Sequence, residues 1–246
     1  MRRIAVAAVL VVLLLAVFSS VSYVGGKGTA VLDPRFGDPV VLHPGFSVHA
    51  PFLSRVTRYP LDPRKVEGQV KVETRDNLNF RIHYTLTISL EPESLLALHA
   101  RRAGRPLDPV LQQLSDETVQ KAAAFLRADE ILGTAARERW LGALYPPAME
   151  RGLKAQEIQV VPVDSRALVN AALIYQDRNL PHAALQLLRV GVERFPEDSR
   201  VHYGLGRLYE HQGKEKEAEE EYLQALLLDP VATEPMGRLI GALLKR

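Results

Sequence analysis

The chain has 246 residues, enough for one large domain or two modest ones, each with its own core. With 31 basic and 29 acidic residues its formal net charge is +2, too near balance to build a field for nucleic acid or for anionic lipid. It contains no cysteine, which excludes disulfides, thiolate nucleophiles, iron–sulfur clusters and cysteine-based zinc sites. The apolar residues are unevenly spread, and the densest block comes first. Ile4 to Val24 is an uncharged run of 21 residues whose clearly polar members are Ser19, Ser20, Ser22 and Tyr23. As a helix it would rise about 31 Å, against a hydrocarbon core of about 30 Å. A cleaved signal peptide is the competing reading, but its apolar stretch is about 7–15 residues and ends at an A-x-A-like site. Here the run is longer and Ser20-Val21-Ser22 is a poor cleavage match. The expectation is therefore a retained single-pass transmembrane helix within residues 1–27. Arg2 and Arg3 precede it and Lys27 and Arg35 follow, which favours a cytoplasmic N-terminus, an inner or plasma membrane, and an exported, periplasmic body.

After Gly25-Gly26 short extended segments are predicted. Thr29–Leu32 and Val40–His43 flank the turn signal Asp33-Pro34-Arg35-Phe36-Gly37, and Pro44-Gly45 opens another turn before Phe46, Val48 and Ala50. Val66, Val70 and Val72 mark a further strand. Leu78, Phe80, Ile82, Tyr84, Leu86, Ile88 and Leu90 then recur at every second position, with Asn79, Arg81, His83, Thr85, Thr87 and Ser89 between them. That is a strand with one face on a core and one face wet. From Glu91-Pro92 the period becomes helical: a short helix around Leu95, Leu96 and Leu98, then one starting near Asp108-Pro109. Val110, Leu111, Leu114, Val119 and Phe125 would line its apolar side. His99, Arg101, Arg102 and Arg105 read as a solvated loop beside Gly104 and Pro106. Another helix would run from Asp129 towards Gly152, broken or kinked by Pro146-Pro147. Gln159, Val160, Val161 and Val163 read as a last strand. Sheet, helices and one returning strand make an α+β domain.

The segment from Val40 through His43-Pro44-Gly45-Phe46 to Pro51-Phe52 resembles the opening of band 7 (SPFH) proteins, the group of stomatins, prohibitins, flotillins and bacterial regulators of a membrane AAA protease. Val56, Tyr59 and Asp62-Pro63-Arg64 continue the similarity. Thr74-Arg75-Asp76-Asn77-Leu78 looks like the turn that leads into the family's long alternating strand. Ala136-Arg137-Glu138 and Gly152–Val163 are similar to its last helix and strand. The resemblance covers residues 28–164. It implies an antiparallel sheet with helices, and a homo-oligomer held at a membrane by lipid contacts of the N-terminal helix. The long charged helix that helps such proteins close rings or cages is not found after Val163.

The remaining stretch repeats itself at a spacing of 34 residues. Tyr209 pairs with Tyr175, Ala218 with Ala184, Tyr222 with Leu188, Ala225 with Gly191, Pro230 with Pro196, Gly206 with Ala172, and Gly213 with Asn179. These positions resemble those at which tetratricopeptide repeats place small, aromatic and terminating residues. Residues 165–246 are thus expected to be all-α: repeats at 165–198 and 199–232, and a solitary capping helix after Thr233. Two repeats and a cap fall short of the usual three units, so the array should lean on the preceding domain or on a partner. Similarity to the repeat family places a protein or peptide client on the concave face of the first helices. The matching positions are Arg166, Val169, Leu173, Gln176 and Asp177, then Arg200, Tyr203, Arg207, Glu210 and His211. Arg200 and Arg207, seven apart, would hold a peptide carboxylate. Lys214–Glu221, with mixed charge at helical spacing, reads as a solvated face.

None of the seven histidines falls in an H-E-x-x-H arrangement, and there is no G-x-S-x-G, P-loop or G-x-G-x-x-G. Asp116-Glu117 and Asp129-Glu130 read as acidic pairs at helix starts. No enzyme, cofactor, metal or nucleic-acid partner is expected. The expected role is a membrane-anchored scaffold that self-associates through the band 7-like domain and recruits partners through the repeats. The resemblance also leaves open a regulator of a membrane-bound AAA protease, or a cell-envelope assembly factor.

Overall fold

The computed structural model describes residues 20–26, 28–49, 53–133 and 136–243. Most of the apolar run, up to Ser19, lies outside them, as do Ala50–Phe52. Its end is not a membrane helix. Val21–Val24 forms strand β1 and pairs antiparallel with β4, Gly45–Val48, in the register Val21↔Val48 and Tyr23↔Phe46. Valine and tyrosine at alternate positions suit a half-buried pleated surface, and a partner strand lies within reach. Among the described residues no helix is long and apolar enough to cross a membrane.

A second sheet has the order β3-β2-β5. Strand β2, Gly28–Pro34, returns as β3, Val40–Leu42, through a turn in which Gly37 takes a φ of +114°. On its other edge lies β5, Ser54–Pro60, a strand that the sequence does not announce. The third sheet orders β6 (Arg64–Glu73), β7 (Asn79–Leu90) and β8 (Leu153–Pro162). Alternation along β7 is as predicted: Phe80, Ile82, Tyr84, Leu86, Ile88 and Leu90 are buried.

Among the described residues, a 3-10 turn at Pro92–Ser94 and four α-helices lie between β7 and β8. Helix α1 spans Leu95–Arg102, so His99, Arg101 and Arg102 sit on a helical turn and not in a loop. His99 is drawn inward by two bonds, from Nε2 to Asp33 Oδ2 at 2.7 Å and from Nδ1 to the Tyr59 hydroxyl at 2.6 Å. Helix α2 spans Leu107–Ala123. Phe125 lies beyond its end and is exposed, so it does not join the apolar side. Asp116 is mid-helix and not at a start, where it accepts the Tyr84 hydroxyl at 2.5 Å. The expected long helix is two, α3 (Ala128–Leu132) and α4 (Ala136–Met149). The break falls at Gly133, where a Cβ would stand 2.5 Å from the Asp129 carbonyl oxygen. Pro146 and Pro147 sit inside α4 near its end, and the helix closes past them with Glu150 N donating to Pro146 O at 3.2 Å. Glu130 does start a helix, accepting from the Arg127 amide at 2.9 Å.

Five helices follow β8: α5 (Ser165–Asp177), α6 (Pro181–Arg194), α7 (Ser199–His211), α8 (Glu215–Leu228) and α9 (Thr233–Leu243). They form two hairpins and a single helix. The hairpin turns use left-handed residues 34 apart, Asn179 at φ 60° and Gly213 at φ 73°.

Contacts divide the chain into two compact units. The first holds residues 1–66, 86–115 and 145–156, with Ala30, Val31, Tyr59, Leu95, Leu98 and Leu111 in its core. The second holds residues 67–85, 116–144 and 157–246. Its core combines Phe80, Ile82, Val119, Ile131 and Trp140 with Leu168, Leu188, Leu205 and Tyr222 of the helical hairpins. Trp140 is satisfied inside it, donating from Nε1 to Ile131 O at 3.0 Å.

Candidate functional site

The first helices of the hairpins owe their positions to one local device used twice. Asp164 caps α5 by accepting from Arg166 N at 2.8 Å, and Asp198 caps α7 by accepting from Arg200 N at 3.1 Å. The tripeptide Asp-Ser-Arg recurs at residues 164–166 and 198–200, a capping signal visible in the sequence itself. Ser165 Oγ also donates to Asp198 Oδ2, linking one repeat to the next. The Arg200 guanidinium turns back on its own cap, Nε to Oδ1 and Nη2 to Oδ2, each at 3.0 Å. Burial alone would raise the Asp198 carboxyl, but the bonds from Arg200 and Ser165 outweigh it and hold the group below its ordinary value.

This fork of bonds changes the expected anion clamp. Arg200 is already engaged with Asp198, whereas Arg207 makes no hydrogen bond or ion pair among the described residues and is half-buried. Val169 is buried, with Cγ1 3.4 Å from where a Cβ on Gly204 would stand, so it packs α5 on α7 and faces no client. Leu173, Gln176, Tyr203 and Glu210 are half-exposed, and Arg166, Asp177 and His211 are exposed. Glu210 is engaged as well. It accepts the Tyr222 hydroxyl at 2.7 Å and Arg238 Nη1 at 3.4 Å. The Glu210 charge raises Arg238 above its ordinary value. Arg238, on the solitary helix, was missed from sequence because no repeat partner marks it. Between the starts of α7 and α9 lies a groove of about 320 Å³ lined by Arg200, Tyr203, Val231 and Glu234. Its size fits one or two side chains of a peptide.

At the other end of the array, Tyr175 is buried and its hydroxyl donates to Asp76 Oδ2 and to Asp129 Oδ1, the latter at 3.2 Å. Arg127 Nη2 donates to Asp129 Oδ2 at 2.5 Å, and Arg178 Nη1 to the Asp76 carbonyl at 3.4 Å. The first repeat therefore leans on the β6–β7 turn, as its shortness required. Tyr175 and Tyr222 are both pushed above the ordinary tyrosine value, first by burial and then by their carboxylate partners Asp76 and Glu210. An unfolded chain releases these protons first, so the stability they contribute is complete below the ordinary tyrosine value and is lost as pH rises above it. The urea midpoint is expected to stay level up to about pH 9.5 and to fall beyond about pH 10. The Tyr175→Phe/Tyr222→Phe variant, titrated alongside, should lose the extra steepness.

The first unit carries a different surface. Val21, Tyr23, Phe46 and Val48 form one face of the β1–β4 ribbon, Phe46 and Val48 each 81% exposed, with the Tyr23 and Phe46 rings 4.9 Å apart. His49 fixes the ribbon by bridging Ser22 Oγ and Ser54 Oγ, each at 2.8 Å. Phe36 is exposed nearby in sequence, its ring 5.9 Å from the Arg35 guanidinium carbon.

An α+β domain followed by helical hairpins of the 34-residue kind suggests a scaffold with the capacity to bind other proteins. The model of the SPFH domain / Band 7 family matches residues 16–163. That span is more than half of the chain, which therefore belongs to this family. The tetratricopeptide repeat model matches residues 199–230, the second hairpin. A comparison with curated proteins finds no match to the chain.

Proposed function

We propose that this protein is a non-enzymatic, membrane-tethered scaffold whose SPFH domain sits at the bilayer surface and self-associates, while the helical array recruits a protein client. The observation that carries this reading is the apolar face of the β1–β4 ribbon. Its first strand is the end of the uncharged run from Ile4, and its exposed Tyr23 and Phe46 are residues suited to a membrane interface. In this reading the part of the run before Val21 is the single-pass anchor, the N-terminus is cytoplasmic and the body is exported. The client lies on the first-helix face around Arg207, Tyr203 and the groove beside Glu234.

The test is a topology reporter fused after Arg246, with anchor retention checked by size and by resistance to carbonate extraction. An active reporter on the exported side with the anchor intact is the expected result. A cytoplasmic reporter would overturn the exported arrangement, and a carbonate-soluble chain would overturn the tether. Removing residues 165–246 should leave a membrane-bound oligomer but abolish client capture. Regulation of a membrane protease, suggested by family resemblance, would instead appear as altered turnover of membrane proteins in the same truncation.

A further inference from the structure

The two repeats differ in character on the solvent side of their second helices. On α6 and the turn after it, Arg189, Glu193, Arg194 and Glu197 are charged and exposed. The residues 34 positions on are Leu223, Leu227, Leu228 and Val231. They pack against nothing comparable: their exposures are 48%, 73%, 39% and 86%. The same helix faces inward with Ala218, Tyr222 and Ala225, as α6 does with Ala184, Leu188 and Gly191, so the exposed set is not needed to hold the hairpin. Four charged positions have become four apolar ones at matched sites, which is the composition of a covered surface.

Charge around the stripe says what covers it. Towards the N-terminus of α8, the run Lys214–Glu221 holds five glutamates against two lysines, and Lys214 is drawn off to the Tyr209 ring at 5.5 Å. Towards the C-terminus stand Asp229 and the negative end of the helix dipole. The N-terminal end of the apolar stripe is therefore net negative, whereas Arg194 and Arg200 stand beside Leu228 and Asp229 at the other end. An anionic bilayer would be repelled. A second copy of α8 would bring Lys214 and Lys216 only together with its own five glutamates, so negative would face negative.

We propose that the outer side of α8 is a docking surface for a cationic amphipathic helix of another protein, with apolar residues at i and i+4 seated on Leu223, Leu227 and Val231 and lysines or arginines at the end that meets Glu217 and Glu220. This surface meets the first-helix groove only at Val231, and Leu223, Leu227 and Leu228 lie outside that groove, so it does not depend on a client there. The probe is a fluorescein-labelled 18-residue peptide of leucine and lysine in helical pattern, read by anisotropy against the full chain in zwitterionic nanodiscs, with empty discs as baseline. Saturable binding is expected, at least tenfold weaker for the analogue with glutamate in place of lysine. Grafting the first repeat's residues, Leu223→Arg, Leu227→Glu, Leu228→Arg and Val231→Glu, should weaken it tenfold or more while leaving the helical circular dichroism intact. Should that variant fold poorly, Glu217→Gln/Glu220→Gln keeps the stripe and should weaken binding and flatten its salt dependence. Equal binding by the graft, or by the glutamate peptide, would overturn the proposal. So would a graft that lowers the oligomer mass while the parent ignores the peptide, or a parent that prefers anionic vesicles to it.

Discussion

Tyr175→Phe is expected to destabilise the second unit by about 3 kcal/mol, with the first repeat loosening before the rest. The substitution removes one oxygen and leaves the packing of the ring unchanged. It also leaves the carboxylates of Asp76 and Asp129 on one side of a buried ring without the proton they shared. A hydrogen bond to a charged group is worth about 1.5–3 kcal/mol, and the loss grows when the abandoned partner is buried, as Asp129 is. Arg127 remains on Asp129 and moderates the loss there, whereas Asp76 keeps no cation on its carboxylate among the bonds described. Asp76→Asn in the same chain should therefore recover part of the stability, since it removes the charge. Urea unfolding gives the magnitude, and proteolysis near Val163–Ser165 shows whether the array loosens first. A Tyr175→Phe chain within 0.5 kcal/mol of the parent would mean that the hydroxyl is not what holds the array.

The second large effect belongs to Gly206, on α7 against α8. A Cβ there would stand 2.5 Å from both Cδ1 and Cε1 of Tyr222, a buried ring whose hydroxyl is tied to Glu210. Alanine is favoured over glycine in a helix interior by about 0.8–1 kcal/mol. Forced displacement in a packed core costs about 1–3 kcal/mol, and the ring cannot move without giving up its bond, so the net sign is destabilising. Gly206→Ala should cost about 2 kcal/mol, and Gly206→Val more. The first repeat contains the compensation: Ala172 stands where Gly206 does, and Leu188 where Tyr222 does. Gly206→Ala/Tyr222→Leu should consequently be more stable than the sum of its single variants, a coupling that a thermal double-mutant cycle reads directly. Additive effects would show that the glycine answers to something other than the ring.

Much of this was legible beforehand, and the exceptions share a cause. Strand β7 and the 34-residue repeat are long periodic patterns, and periodicity survives whatever packs against it. Strand β1 was misread because Val21–Val24 continues an apolar run, and only the later segment Gly45–Val48 reveals a pairing partner. Strand β5 alternates too briefly to stand out from its arginines. His99 looked like part of a basic loop because Asp33 and Tyr59, which draw it inward, are 66 and 40 residues away. The helix break falls at Gly133 and not at the two prolines; the close approach of the Asp129 carbonyl oxygen, which leaves no room for a Cβ there, is invisible in composition. At the candidate site, sequence located the helices but not which polar groups were already spoken for. Arg200 and Glu210 are exposed enough to look available, yet Arg200 is held by its own cap Asp198, two residues back, and Glu210 by Tyr222 and Arg238, which only the fold brings to it.

The latch between Ser165 and Asp198 bears on how the array comes apart. Ser165 of one repeat reaches the capping aspartate 33 residues later. Counting the same distance from Ser199 arrives at Ala232, which has no oxygen on its side chain to receive it. The series of latches therefore stops one helix short, and α9 is joined to its neighbours through Arg238 on Glu210 instead. A quasi-one-dimensional stack secured at its first unit and unlatched at its last has a polarity of its own. It should fray from α9 backwards, as a seam does from its unsewn end, and exchange its amide hydrogens in that order.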